Sequence, residues 1–269
     1  MIPFIKAHAC GNDFLIVTED EAKDYDLAEL TRRLCERNTG IGADGVEFFR
    51  WTGPNSGSIR LHNADGSIAE ISGNGTRCVA AWMADELGSQ PGDALEIATD
   101  AGVRLCRFEA RHGHTVEVTT GMAVPAFEAK TLTISDELVV HGTMVSTGNP
   151  HFVISVEDSR FELDKRSWQS VGEEICSHYD FPNQTNVEFF RVVGPRGIEI
   201  RIFERGVGPT TSSGTGSSAA ATAAIALGLA GSPLTVVAPG GAQIVAWDGP
   251  GTELKLTGPA ALIARGEAW

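Results

Sequence analysis

The sequence predicts an α/β protein of two similar halves, each wrapping a sheet around one central helix. Three observations predict it. Short runs rich in β-branched and aromatic residues recur between turn formers along the whole chain. Two segments share one build: Ser72-Gly73-Asn74-Gly75-Thr76-Arg77 before the apolar run Cys78 to Leu87, and Ser213-Gly214-Thr215-Gly216-Ser217-Ser218 before Ala219 to Leu227. Neither following helix has a broad polar face, and a helix that is apolar all round is a buried one.

In chain order, Met1 to Lys6 opens a strand-like pattern, and Phe14 to Thr18, Gly45 to Trp51, Ser58 to His62, Ala94 to Thr99, Val103 to Ala110 and Thr115 to Thr119 read as strands. Leu27, Leu30 and Leu34 at helical spacing predict a helix over Leu27 to Arg37, stopped by Asn38-Thr39-Gly40. Residues 74–87 form the first buried helix, and Gly121 to Glu128 serves as a crossover. From Met144 the order repeats. Phe152 to Val156, Thr185 to Val193 and Gly197 to Phe203 are strands, Lys165 to His178 is a helix, and residues 214–228 form the second buried helix. Leu234 to Val237, Gln243 to Trp247 and Glu253 to Thr257 complete the strands. The repeat lies in structural order, with little identity beyond the two corners. It divides the chain into 1–119 plus 258–269 and 120–257.

At 269 residues and 42% apolar, the chain can bury a sizeable core. A formal charge of −14 argues against nucleic acid or an anionic membrane as partner, because binding phosphates needs clustered Lys and Arg. The five cysteines, Cys10, Cys35, Cys78, Cys106 and Cys176, are widely spaced, so neither a zinc site nor a disulfide framework is expected, and cytoplasmic thiols are the plain reading. No phosphate loop or dinucleotide fingerprint is present, so no cofactor is expected.

The corners carry the chemistry. A helix N-terminus presents unpaired N–H groups and about half a positive charge, so it can hold a carboxylate without a basic side chain. For either serine alone, an ordinary helix cap is the simpler account. Two matched copies among further polar motifs favour a site. Those motifs are His8-Ala9-Cys10-Gly11-Asn12-Asp13-Phe14, Gly40-Ile41-Gly42-Ala43-Asp44-Gly45, Asn63-Ala64-Asp65-Gly66-Ser67, Gly148-Asn149-Pro150-His151, Thr185-Asn186-Val187-Glu188-Phe189 and Glu204-Arg205-Gly206.

Taken in order with the corners, these motifs resemble the diaminopimelate epimerase family and its cofactor-free racemase relatives over nearly the whole chain. The resemblance implies two pseudo-symmetric halves, each a closed sheet around a central helix, with the active site in the cleft between them, and it implies a homodimer. It implies that Asn12, Asn63, Asn149, Asn186 and Arg205 grip the distal amino-acid end of a diaminopimelate substrate. Gly73, Asn74, Gly214 and Thr215 would offer N–H groups to the carboxylate at the reacting carbon, and His151 and Glu204 would form the polar pair beside the catalytic groups.

The departure falls on the catalytic groups themselves. The family carries a cysteine before each corner glycine, and this chain has Ser72 and Ser213. A hydroxyl about five pKa units above a thiol costs about 7 kcal/mol more to ionise, against at most about 2 returned by a helix dipole. Serine therefore needs His151 or Glu204 to act as the base through it. Three readings stay open: an epimerase whose cysteines were exchanged for serine; a native serine enzyme, either an epimerase or an isomerase or lyase of another small carboxylate; and a non-catalytic amino-acid-binding protein. Cys10 and Cys78 make poor substitute thiols, Cys78 because it lies in the apolar helix and Cys10 because it is out of place for a corner.

Overall fold

The computed structural model describes residues 1–69 and 71–269. It divides into two compact units, Met1–Gly121 with Thr257–Trp269, and Met122–Leu256.

The first unit contains β1 (Ile2–Ala9), β2 (Asn12–Thr18), α1 (Glu19–Ala22), α2 (Leu27–Cys35), β3 (Gly45–Gly53), β4 (Ser56–Asn63), β5 (Ile68–Ala69), α3 (Gly73–Glu86), β6 (Ala94–Thr99), β7 (Gly102–His112) and β8 (Thr115–Gly121). β1 pairs antiparallel with β2, β2 runs parallel to β3, β3 is antiparallel to β4, and β4 runs parallel to β6. β6, β7 and β8 continue as a meander. The C-terminal strand Lys255–Ala268 pairs with β8 and, antiparallel, with β1, so eight strands close on themselves without an open edge.

α3 fills that closed ladder. Every residue from Gly73 to Ala84 is buried, and Cys78 to Ala84 pack against Phe14, Phe49, Leu95, Ile97 and Val118 from the strands. α2 lies on the outer face instead. Leu30, Leu34 and Cys35 pack there on Val46 and Phe48, its charged residues face outward while the buried Thr31 hydroxyl donates to the Leu27 carbonyl, and Asp26 caps it by accepting from the Glu29 N–H at 2.9 Å. Side chains alternate along a strand, so in β3 Val46 and Phe48 face α2 while Glu47 and Phe49 face α3.

The second unit repeats the plan. It contains β9 (Ala126–Thr133), β10 (Val139–Ser146), β11 (Pro150–Ser155), α4 (Trp168–Cys176), β12 (Asn186–Gly194), β13 (Gly197–Glu204), β14 (Gly208–Thr210), α5 (Gly214–Ala226), β15 (Leu234–Ala238) and β16 (Gly241–Ala246). β9, β10 and β11 are antiparallel neighbours, β11 runs parallel to β12, β12 is antiparallel to β13, and β13 runs parallel to β15. α5 is the buried helix, with Ala219 to Ala224 set among Val153, Phe190, Ile200 and Val236.

The last strand runs Lys255–Ala268 rather than Glu253 to Thr257, and two further departures have clear physical reasons. The crossover placed at Gly121 to Glu128 runs into a strand, because β9 starts at Ala126 and β10 precedes Met144. β9 buries Leu132 alone while its first four residues are exposed, so its apolar alternation is faint. The helix expected from Lys165 begins at Trp168, after Asp164 and Lys165 take positive φ of 49° and 64°, which a right-handed helix forbids.

Gly57 shows how tightly the first unit is packed. A methyl there would lie 2.2 Å from Cε2 of Phe49, a ring that stacks edge-on against Trp82 at 4.8 Å. Gly57→Ala is expected to lower unfolding free energy by about 1–3 kcal/mol in urea denaturation, the usual cost of overpacking.

Candidate functional site

Each unit builds a corner from matching pieces: the starts of two parallel neighbours (β2 and β3; β11 and β12), the end of the next strand (β4; β13), and the N-terminus of its buried helix. In the first unit Ser72 has extended φ and ψ of −122° and 122°, and its Oγ accepts from the Gly75 N–H at 3.0 Å. Its carbonyl takes both the N–H and the hydroxyl of Thr76 at 2.8 Å. Asn74 donates to Asn12 Oδ1 at 3.1 Å, and Asn12 donates to Asp44 Oδ2 at 2.6 Å. Arg37 then joins Asp44 at 2.7 Å to Asp13 at 2.9 Å, and Lys6 reaches Asp13 at 3.1 Å. Burial works to raise the Asp13 carboxyl, but the bonds from Arg37 and Lys6 outweigh it and hold the group below its ordinary value. A chain of fixed charges thus orients Asn12 and, through it, Asn74. Gly73 is buried at the first helical position. Asn63, the last residue of β4, is exposed and donates to Ser67 Oγ at 3.0 Å.

The second corner is richer. Ser213 caps α5 by accepting from the Gly216 N–H at 3.2 Å and lies 3.4 Å from the Thr215 hydroxyl. Asn149 donates to Thr215 Oγ1 at 3.4 Å, as Asn12 meets Asn74 in the first unit. Asn149 Oδ1 lies 2.9 Å from His151 Nε2, which donates to it, and His151 Nδ1 lies 2.8 Å from Glu188 Oε1. His151 and Glu188 are both wholly buried. Burial pushes the Glu188 carboxyl up while His151 draws it back. Burial also raises Glu204, against a hydrogen bond from the Ser213 hydroxyl and with a further push from the Glu188 charge. Asn186 accepts from the Arg205 N–H at 3.1 Å, and the exposed Arg205 guanidinium donates to the Asn183 carbonyl at 3.2 Å. Gly214 is buried at the start of α5.

Within each unit the residues singled out in the sequence come together: Asn12, Ser72, Gly73 and Asn74 in the first, and Asn149, His151, Asn186, Glu204, Arg205, Ser213, Gly214 and Thr215 in the second. Asn63 ends β4 opposite Gly45, with its side chain turned to Ser67. Two carboxyls were missed, Glu47 and Glu188. Glu47 is fully buried with neither oxygen hydrogen-bonded, and burial lifts it to about 8. A methyl on Gly75 would lie 2.0 Å from Glu47 Oε1, and one on Gly216 would lie 2.8 Å from Glu188 Oε1. The signal for both was present as the repeat Val46-Glu47-Phe48-Phe49-Arg50 and Val187-Glu188-Phe189-Phe190-Arg191, which adds identity beyond the corners. Among the described residues no group of His, Cys, Asp and Glu is placed to hold a metal ion. No helix among them is long and apolar enough to cross a membrane.

Two pseudo-symmetric α/β units, each with a polar corner at a buried helix, make up a fold shared with solved epimerase and racemase structures. The structure of a hydroxyproline epimerase from Agrobacterium vitis shares the fold at a TM-score of 0.70 and 16% identity, covering 98% of this chain and 90% of that one. The model of the diaminopimelate epimerase family matches residues 4–125 and 143–263, and the chain belongs to that family. Diaminopimelate epimerases from Bacteroides thetaiotaomicron and Pelotomaculum thermopropionicum are 34% and 35% identical to it, over 99% and 98% of this chain and 97% and 98% of theirs.

The raised Glu47 carboxyl sets a pH dependence of stability. In the unfolded chain it ionises near 4.5 and in the folded chain near 8. Its contribution is full below the first value and is lost as pH rises through the second, because ionisation favours the unfolded chain throughout that window. Urea denaturation across pH 4.5 to 8 is expected to show this decline in the wild type and its removal in Glu47→Gln.

Proposed function

We propose that this chain interconverts LL- and meso-diaminopimelate, without a cofactor, by moving one proton at the α-carbon with one acid–base group from each corner. The observation that carries the proposal is the second corner. There a helix N-terminus able to hold a carboxylate, a hydroxyl on that helix's cap and a carboxyl facing the hydroxyl come together. Family membership and the names of the relatives support diaminopimelate as the substrate.

In the proposed reaction the substrate's α-carboxylate lies against the first N–H groups of the buried helices. As the α-proton leaves, its electron pair spreads into that carboxylate, where N–H groups and the helix dipole stabilise the added charge. Ser213 is too weak an acid to serve as the base alone. As its Oγ takes the α-proton, its own hydroxyl proton passes to Glu204, so no free alkoxide forms. The His151 and Glu188 pair lies behind and its charge state tunes Glu204. Arg205, exposed and joined through its backbone to Asn186, pairs with the distal carboxylate of the substrate. The resemblance extends the proposal to a cytoplasmic homodimer.

Proton NMR of the purified protein with LL-diaminopimelate in deuterium oxide tests the reading. Loss of the α-proton signal with appearance of the meso isomer is expected, and saturable binding without exchange would contradict it. Ser213→Ala is expected to lower kcat by about 100-fold or more, the usual scale for a lost proton-transfer group. Arg205→Ala is expected to raise KM more than it lowers kcat.

A further inference from the structure

The second corner holds a run of hydrogen bonds that all point toward its serine. His151 is the source, with Nδ1 2.8 Å from Glu188 Oε1 and Nε2 donating to Asn149 Oδ1 at 2.9 Å. With its carbonyl so engaged, Asn149 turns its amide N–H to Thr215 Oγ1 at 3.4 Å. The Thr215 hydroxyl receives that N–H and keeps its own proton for Ser213 Oγ, 3.4 Å away. Ser213 Oγ also accepts from the Gly216 N–H at 3.2 Å, and its own proton goes to Glu204. Each group donates to the next, so the first sets the orientation of the last.

We propose that Thr215 is a positioning residue for proton transfer: its side-chain hydroxyl, oriented from the buried Glu188 through His151 and Asn149, holds the Ser213 hydroxyl proton on the line to Glu204. The role rests on the epimerase reading above, in which Ser213 takes the α-proton as its own passes to Glu204. Three observations carry it. A serine O–H rotates to suit its neighbours, and here two donors fix it. The Gly216 N–H and the Thr215 O–H occupy the lone pairs of Oγ, so the position left for the proton is the one facing Glu204. The far end of the run is fixed as well. Glu188 and His151 are wholly buried, and the proton they share leaves Nε2 protonated whether it resides on Nδ1 or on Oε1, so Asn149 is offered a donor in either case. The third observation is the opposite direction at the first corner. Asn74, second in α3 as Thr215 is second in α5, donates outward to Asn12 Oδ1 at 3.1 Å, and Asn12 donates onward to Asp44 at 2.6 Å. The inward direction at the second corner therefore comes from its own residues, a hydroxyl at 215 and an imidazole at 151, and not from the shared frame.

Thr215 makes and breaks no covalent bond. The α-proton still bonds to Ser213 Oγ, the Ser213 hydroxyl proton still bonds to the Glu204 carboxylate, and the electron pair of the C–H bond stays on the substrate. Negative charge grows on Oγ while its proton lies between it and Glu204. The Thr215 O–H and the Gly216 N–H are already aimed at that oxygen and stabilise the charge without reorganising. Removing the Thr215 hydroxyl frees Ser213 to rotate, which slows proton transfer. The Thr215 backbone N–H stays in place, so substrate binding is spared.

The test measures kcat and KM with LL-diaminopimelate for the full-length wild type, Thr215→Val, Thr215→Ser, and Ser213→Cys with and without Thr215→Val. Thr215→Val keeps the branched shape and the backbone N–H, and is expected to lower kcat by about 10- to 100-fold with KM nearly unchanged. Thr215→Ser puts a hydroxyl back and should restore most of what Thr215→Val loses. In the Ser213→Cys background Thr215→Val should cost little, because a thiol near pKa 8.5 ionises without passing a hydroxyl proton to Glu204. Nitrogen NMR of the His151 ring gives a readout independent of turnover, and a proton on Nε2 is expected. An Nε2 without a proton would overturn the proposal. So would a Thr215→Ser as slow as Thr215→Val, or an equal loss in the serine and cysteine backgrounds, the mark of a structural lesion. A wild type that exchanges neither isomer in deuterium oxide would overturn the epimerase reading and this proposal with it. An active wild type with an equally active Thr215→Val would overturn this proposal alone.

Discussion

Burial of a helix N-terminus inside a sheet is the constraint on which the rest of the molecule depends. A helix end leaves its first N–H groups without intrahelical partners, and in water the solvent would supply them. α3 and α5 are enclosed from their first residues onward, so side chains must supply partners instead. Ser72 and Ser213 each satisfy one such N–H from the cap position. What remains at the tip is a compact positive end in a shielded place. That is a poor arrangement for stability and a good one for holding a carboxylate.

The same enclosure accounts for the buried polar groups. Arg77 is wholly buried on α3, and its guanidinium donates to Asn74, which in turn meets Asn12. Asn74 is thus held from both sides at the tip of the helix. In the second unit Thr215 occupies that place and meets Asn149, and Asn149 in turn meets His151. The two corners therefore share a frame and differ in where protons can reside. The second has a His and two Glu around its serine, and among the described residues the first has the buried Glu47 beneath Gly75 and the ion-paired Asp13 and Asp44. An epimerase must run in both directions, and such a division of labour is compatible with that need, because each direction calls for one corner to be protonated and the other not.

Much of this was legible in the sequence, for identifiable physical reasons. Serine followed by glycine before a long apolar run announces a capped helix with no wet face, and both buried helices followed from it. Asn12, Asn149 and His151 were legible because turn chemistry and resemblance agreed on them. The strand β9 was not, since Phe127 and its neighbours are exposed and the apolar alternation that marks a half-buried strand is lost. Glu47 and Glu188 were missed for a different reason. A glutamate within a strand between apolar residues reads as a solvent-facing position, and only the closed ladder turns that face inward onto a helix tip. The duplicated Val-Glu-Phe-Phe-Arg run could have exposed them, because a solvated residue has no reason to recur at the same register in both halves.

The central claim is that a carboxyl able to hold a proton near neutral pH lies beneath the first corner. The most direct measurement is infrared difference spectroscopy of the wild type against Glu47→Gln, following the carbonyl stretch of a protonated carboxyl through a pH titration. The account predicts a protonated band at neutral pH that disappears as pH rises through about 8 and is absent from the variant. A band already gone in the ordinary carboxylate range, near 4.5, would contradict it.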